Sequence, residues 1–237
     1  MQPDRARVAS SPPPAATSDP RTFTKATSQH TRAEARALRL VEGPGIVPLH
    51  GADDQLLHLE AARCTIADVI ADRGRLRAVE VRGVAVAAGL ALARCHGLGV
   101  VHGDVKPANL LLSDHGDLWL ADFDTAGPIA SPRTGHTPGH DAGPTLTIAD
   151  DVRALAATAV ECAVGSPIDL ATAWSALQLS ALGCPADLAA EIALILRRPT
   201  SASALVQLLD RDDATLPRSS APNQADRTPT VKFELLG

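Results

Sequence analysis

The 237 residues are 45% hydrophobic and 21% charged, with a net charge of -5, which is enough apolar material for one folded domain with a proper core. A mildly acidic chain gives no electrostatic reason to bind nucleic acid or an anionic membrane, and its greasiest run, residues 84–93, is too short to span a bilayer. With no Tyr, two Trp and three Phe, the core must be built from Ala, Val and Leu. The four dispersed cysteines form no C-x-x-C pair and point to a reducing, cytoplasmic setting.

Residues 1–21 include SSPPPAATSDP, which cannot bury a core and is expected to be a disordered leader; residues 212–237 read as a flexible tail, although VKFELL near the end alternates like a strand. The ordered body is expected at 22–211, without internal repeats. Its first helix spans 31–41 and stops at Gly43-Pro44-Gly45. Strand-like pieces follow at 46–49 and 55–60, then helices at 65–72 and 78–96, the second apolar on all sides after Arg82 and so buried. Next comes VVHGDVKPANLLL, residues 100–112, four chemically active side chains between two apolar runs. Segments 110–112 and 118–120 flank Ser113-Asp114-His115-Gly116 and predict a hairpin. A Gly/Pro-rich loop at 125–147 leads to helices at 150–164, 167–182, 186–197 and 200–210. A little strand first and mostly helix afterwards predicts an α+β fold with unequal lobes.

HGDVKPANLLL resembles the catalytic loop of the eukaryotic-type protein kinases, H-R-D-x-K-x-x-N before an apolar strand, and Ala121-Asp122-Phe123-Asp124 resembles the D-F-G triplet one hairpin later. The resemblance implies a kinase-like fold with a minimal β-containing N-lobe at 22–60 and a helical C-lobe at 61–211. It also implies ATP and Mg²⁺ as cofactors and Ser/Thr of a protein as phosphoryl acceptor, Lys106 standing where Ser/Thr kinases carry lysine. Phosphoryl transfer asks the protein mainly for positioning and charge neutralisation. By resemblance Asp104 accepts the substrate hydroxyl proton, Lys106 steadies the transferred group, and Asn109 and Asp122 hold magnesium through oxygen atoms. Thr137, in TPGH, is similar to the threonine of G-T-P-G-Y and would lie near Asp104 and Lys106. Lys25 is read as the strand lysine that meets the α/β-phosphates, and Glu34 as its helix partner, although Thr31-x-x-Glu34 also fits a capping box. Residues 59–62, with Glu60 and Ala62, are the implied hinge that meets adenine. Asp151 would brace the catalytic loop, or else cap its own helix.

The pattern also breaks. No glycine precedes Gly43, so the glycine-rich phosphate cover has no counterpart upstream of Lys25; an upstream segment carrying that strand pair would complete the small lobe. Gly103 replaces the arginine of H-R-D, which usually pairs with a phosphorylated activation loop. Asp124 replaces the glycine of D-F-G, placing another carboxylate where a second cation could bind, and the A-P-E triplet is absent, leaving Arg198 without its family partner and so expected at the surface or paired with another acid. His136, His140 and Asp141 could be a metal cluster or a solvated loop. The expectation is a protein Ser/Thr kinase with weakened ATP binding. The alternatives are a nucleotide-sensing or scaffolding pseudokinase and a small-molecule phosphotransferase of aminoglycoside-kinase type, against which Lys106 argues because those enzymes generally carry His there.

Overall fold

The computed structural model describes residues 21–26, 31–53, 56–133, 143–169, 173–199 and 201–210. The leader up to residue 20, the tail with VKFELL, Thr137 and the His136/His140/Asp141 cluster therefore lie outside the described residues.

The small lobe is a three-stranded antiparallel sheet in the order β1 (Thr22–Ala26), β3 (Leu56–Glu60), β2 (Leu49–Ala52), with α1 (Thr31–Val41) packed on it. Helix α1 buries Glu34, Ala35, Leu38 and Val41 at i, i+1, i+4 and i+7, one apolar face interrupted by a single carboxylate. The strand expected at 46–49 is displaced: β2 begins only at Leu49, and Ile46 makes a parallel bridge to Leu120 instead. Pro48 explains the shift, since it has no N–H for a ladder and serves only as acceptor, for Glu60 N–H at 2.9 Å. Val47 N–H to Leu120 C=O and Leu120 N–H to Gly45 C=O, at 3.0 and 2.8 Å, then tie this lobe to the hairpin below.

The chain enters the large lobe through β4 (Cys64–Thr65) and α2 (Ile66–Arg73), the helix being closed by a Thr65/Asp68 capping box. Helix α3 (Ala78–Gly97) is the central rod, buried over most of its length as its unbroken apolar run predicts. After β5 (Val100–Val101) come the predicted hairpin strands β6 (Leu110–Leu112) and β7 (Leu118–Leu120), pairing Leu110 with Leu120 and Leu112 with Leu118. Strand β8 (Gly127–Pro128) pairs with β5. The rest is helical: α4 (Ile148–Val164), α5 (Ala176–Ala181), α6 (Ala186–Arg197) and α7 (Ala202–Leu209).

The helix expected over 167–182 shrinks to α5, because Ser175 and Gln178 form a capping box that fixes its start late. Helices α3, α4 and α7 pack with small residues at their contacts. A Cβ on Gly89 of α3 would meet Val206 Cγ2 at 2.6 Å, so glycine there sets the approach of α3 and α7. Arg82 ties α3 to α6 through Asp187 and Glu191, both at 2.7 Å. Arg198 is exposed, one of its two expected fates. No helix among the described residues is long and apolar enough to cross a membrane.

Candidate active site

The loop between β5 and β6 is held from three sides. Asp151, on the first turns of α4, is 1% exposed and accepts from His102 N–H and Gly103 N–H, both at 2.8 Å, while His96 Nε2 lies 2.9 Å from it. Helix α4 is capped by Thr147, whose hydroxyl accepts from Asp150 N–H, so Asp151 is a brace for the loop and not the cap. His102 is fully buried. Its Nε2–H donates to Ala121 C=O at 2.9 Å and its Nδ1 accepts from Asp104 N–H at 3.3 Å, which fixes one neutral tautomer. Burial pushes its pKa below the usual histidine range, so the ring stays uncharged, edge-on to Phe123 at 4.7 Å.

Asp151→Asn should destabilise the fold by about 2 kcal/mol, because an amide nitrogen then faces a buried N–H that keeps no acceptor. Urea unfolding checks this, and hydrogen exchange at residues 101–104 should rise with it.

On this frame the active side chains converge. Lys106 Nζ lies 2.6 Å from Asp104 Oδ2, and Asn109 Nδ2 donates to Asp104 C=O at 2.8 Å and to its Oδ2 at 3.2 Å. Ala121 N–H donates to Asn109 C=O, so the hairpin delivers Asp122 beside the same loop. Asp122 adopts φ 65°, ψ 67°, a left-handed conformation costly for any non-glycine residue. The positive φ thus falls on Asp122 itself, and Asp124, which replaces the family's glycine, sits in the 3-10 turn Phe123–Thr125.

Lys25 reaches down from β1 and bridges the lobes. Its Nζ lies 2.9 Å from Glu34 Oε1 and 2.5 Å from Asp122 Oδ1. Burial opposes the lysine's charge, but the bonds to Asp122 and Glu34 outweigh it and raise its pKa. Burial likewise raises that of Glu34, with Lys25 only partly offsetting it. The nine-residue spacing of Lys25 and Glu34 is therefore sufficient for an ion pair.

Between the lobes lies a cavity of about 500 Å³. Its lining includes the polar side chains of Lys25, Glu60, Asn109 and Asp122 and the apolar ones of Phe23, Leu59, Ala62 and Leu111. Glu60 is held by His50 Nε2 at 2.7 Å. Next to it, Ala61 N–H donates to Arg21 C=O at 2.7 Å.

Residues 17–141 match the protein kinase domain family. The chain belongs to the protein kinase family. Similar proteins include the 3-phosphoinositide-dependent protein kinase 1 of Arabidopsis thaliana, 32% identical over 105 residues that are 42% of this chain and 21% of that protein. The serine/threonine-protein kinase PknA of Mycobacterium tuberculosis is 29% identical over 159 residues, 56% of this chain and 36% of that one. PknL of the same species is 34% identical over 105 residues, 42% and 26% respectively. The chain thus spans between about a fifth and about a third of the length of these kinases.

Two features of this kinase domain escaped the sequence reading. Phe23, 57% exposed, is on the same strand face as Lys25 and lines the cavity; period-two alternation back from Lys25 would have found it. Arg133, in the loop before α4, donates to Gly103 C=O, and nothing in the sequence signals that approach.

Proposed function

We propose that this domain transfers the γ-phosphoryl group of ATP to a serine or threonine hydroxyl of a protein, with weakened nucleotide binding. The observation that carries the reading is Lys25 bonded to both Glu34 and Asp122, with Lys25, Asp122 and Asn109 lining one cavity. Asp104 is tied to Asn109 and Lys106. The apolar lining suits a planar base, which Phe23, Leu59 and Leu111 would flank.

In this reading Asp104 takes the proton from the acceptor hydroxyl, and Lys106 and Lys25 meet developing charge on the phosphates. The oxygens of Asn109 and Asp122 fit a hard cation: the Asn109 amide nitrogen is engaged by Asp104, leaving Oδ1 as its metal-binding atom. Magnesium bound there supplies neutralisation of phosphate charge. Residues 1–24 contain no glycine, so they supply no glycine-rich backbone for the phosphates, which supports the weakened binding. The direct Lys25–Asp122 contact, which engages the lysine and a metal-binding carboxylate with each other, favours the pseudokinase as second reading.

Titration with Mg²⁺-ATP separates the two. A thermal shift that appears only at millimolar nucleotide, together with transfer of labelled γ-phosphate to a generic protein, is the expected result. A shift without transfer points to the pseudokinase, and no shift at all overturns nucleotide binding.

A further inference from the structure

A side chain at position 103, where the H-R-D pattern has arginine, would be strained. Gly103 has φ +83°, and a Cβ on it would lie 3.0 Å from Leu146 Cδ2 and 3.2 Å from Thr125 C=O. The peptide that carries Asp104 is nevertheless met by a guanidinium. Arg133 arrives from the other side, and its side chain is only 7% exposed. Its Nη1 donates to Gly103 C=O at 3.1 Å, its Nη2 to Asp150 Oδ2 at 3.0 Å and its Nε to Gly143 C=O at 3.2 Å. Its own N–H donates to Pro144 C=O at 2.9 Å. One planar fork therefore joins three separated places: the loop before Asp104, the chain returning toward α4, and the first turn of α4. Charge assistance from Asp150 makes this a strong set of bonds, and Arg153 lies 3.8 Å from the other Asp150 oxygen.

We propose that Arg133 is a positioning residue for Asp104: it fixes the Gly103–Asp104 peptide from the segment before α4 through a carbonyl and a carboxylate, partners that no phosphorylation has to supply. Asp151 grips the N–H side of this loop at His102 and Gly103; Arg133 grips the C=O side of Gly103. The N–H of the Gly103–Asp104 peptide itself donates to His102 Nδ1 at 3.3 Å, so with Arg133 on its C=O this peptide is held at both of its polar groups. A carboxylate on a loop needs such restraint, since misplacement by about 1 Å costs about a hundredfold in rate. The inference rests on the reading of Asp104 as the proton acceptor.

Arg133→Ala and Arg133→Lys in the full chain test it. In Arg133→Ala, kcat should fall about tenfold to a hundredfold with the KM for ATP within twofold of the parent, and Arg133→Lys, keeping the charge but not the fork, should fall between them. Phosphatase treatment of the parent should leave kcat unchanged. Hydrogen exchange supplies a readout that needs no activity: peptides covering 101–106 should exchange at least about tenfold faster in Arg133→Ala, with α2 and α6 unaltered. Unchanged exchange at 101–106, a kcat equal to the parent's, or a large loss of kcat on phosphatase treatment overturns the proposal. Faster exchange in a chain that transfers no phosphate upholds the positioning contact and overturns the assignment of Asp104 instead.

Discussion

Asp104→Asn should reduce phosphoryl transfer by about 10²–10⁴-fold while leaving the fold and Mg²⁺-ATP binding in place, the range expected when one positioned proton acceptor is removed. The substitution is nearly isosteric, keeps a side-chain oxygen that can accept from Asn109 Nδ2, and leaves the backbone contacts of the loop untouched. Asp104 N–H still meets His102 Nδ1, and Asn109 Nδ2 still has the Asp104 carbonyl at 2.8 Å. Lys106 loses its carboxylate partner, but its side chain is 32% exposed, so solvent screening holds the stability cost to within about 1 kcal/mol. Single-turnover transfer of labelled phosphate measures the first effect and thermal shift with nucleotide the second. Transfer within a few-fold of the parent would remove Asp104 from the chemistry, whereas lost binding would make its role structural.

How much of this could be read from the chain depends on how local the cause is. The 110–120 hairpin and α3 follow from short-range patterns, apolar triplets around a turn and one long apolar run, and both stand where expected. The small lobe is harder. One proline moved a strand by three residues, because a missing N–H matters only once a neighbouring strand is in place. Lys25 and Glu34 were legible as types, but their pairing required β1 and α1 to meet. The left-handed Asp122 and the reach of Arg133 to Gly103 are tertiary facts with no periodic signature.

The departures from the family pattern also interlock. At 103 a Cβ would meet Leu146 and Thr125 at 3.0–3.3 Å on a backbone with φ +83°, so a larger residue is strained there, and the guanidinium that meets this loop comes from position 133. The chain thus keeps restraint on its catalytic loop while changing its source. On the proposed reading, in which nucleotide binding is weakened, a shortfall in transfer is expected in the KM for ATP more than in the chemical step.

Lys25→Met tests the bridge between the lobes, and its effect should depend on pH. Glu34 is 2% exposed, so losing its ammonium partner leaves a buried carboxylate uncompensated. Breaking a buried pair in this way costs about 3–5 kcal/mol, and the 30% exposure of the Lys25 side chain puts the expectation at the lower end, about 3 kcal/mol at pH 7. Burial already raises the pKa of Glu34, and Lys25 is the partner that partly offsets it. A carboxyl whose folded pKa lies above its unfolded value of about 4.3 favours the fold at low pH, and that support is lost as pH rises through the folded pKa. The deficit of Lys25→Met against the parent should therefore be greatest near neutrality and shrink as pH falls toward about 4.5. Lys25→Met/Glu34→Gln should be less destabilised than the sum of the two single changes, with a coupling of about 1–3 kcal/mol. Urea titrations at pH 5 and pH 7 check both effects. Equal stability of Lys25→Met and parent at pH 7, or a deficit that does not change between the two pH values, would show that the lysine does not compensate the buried carboxylate. The phosphate-binding role assigned to it would then lose its structural support.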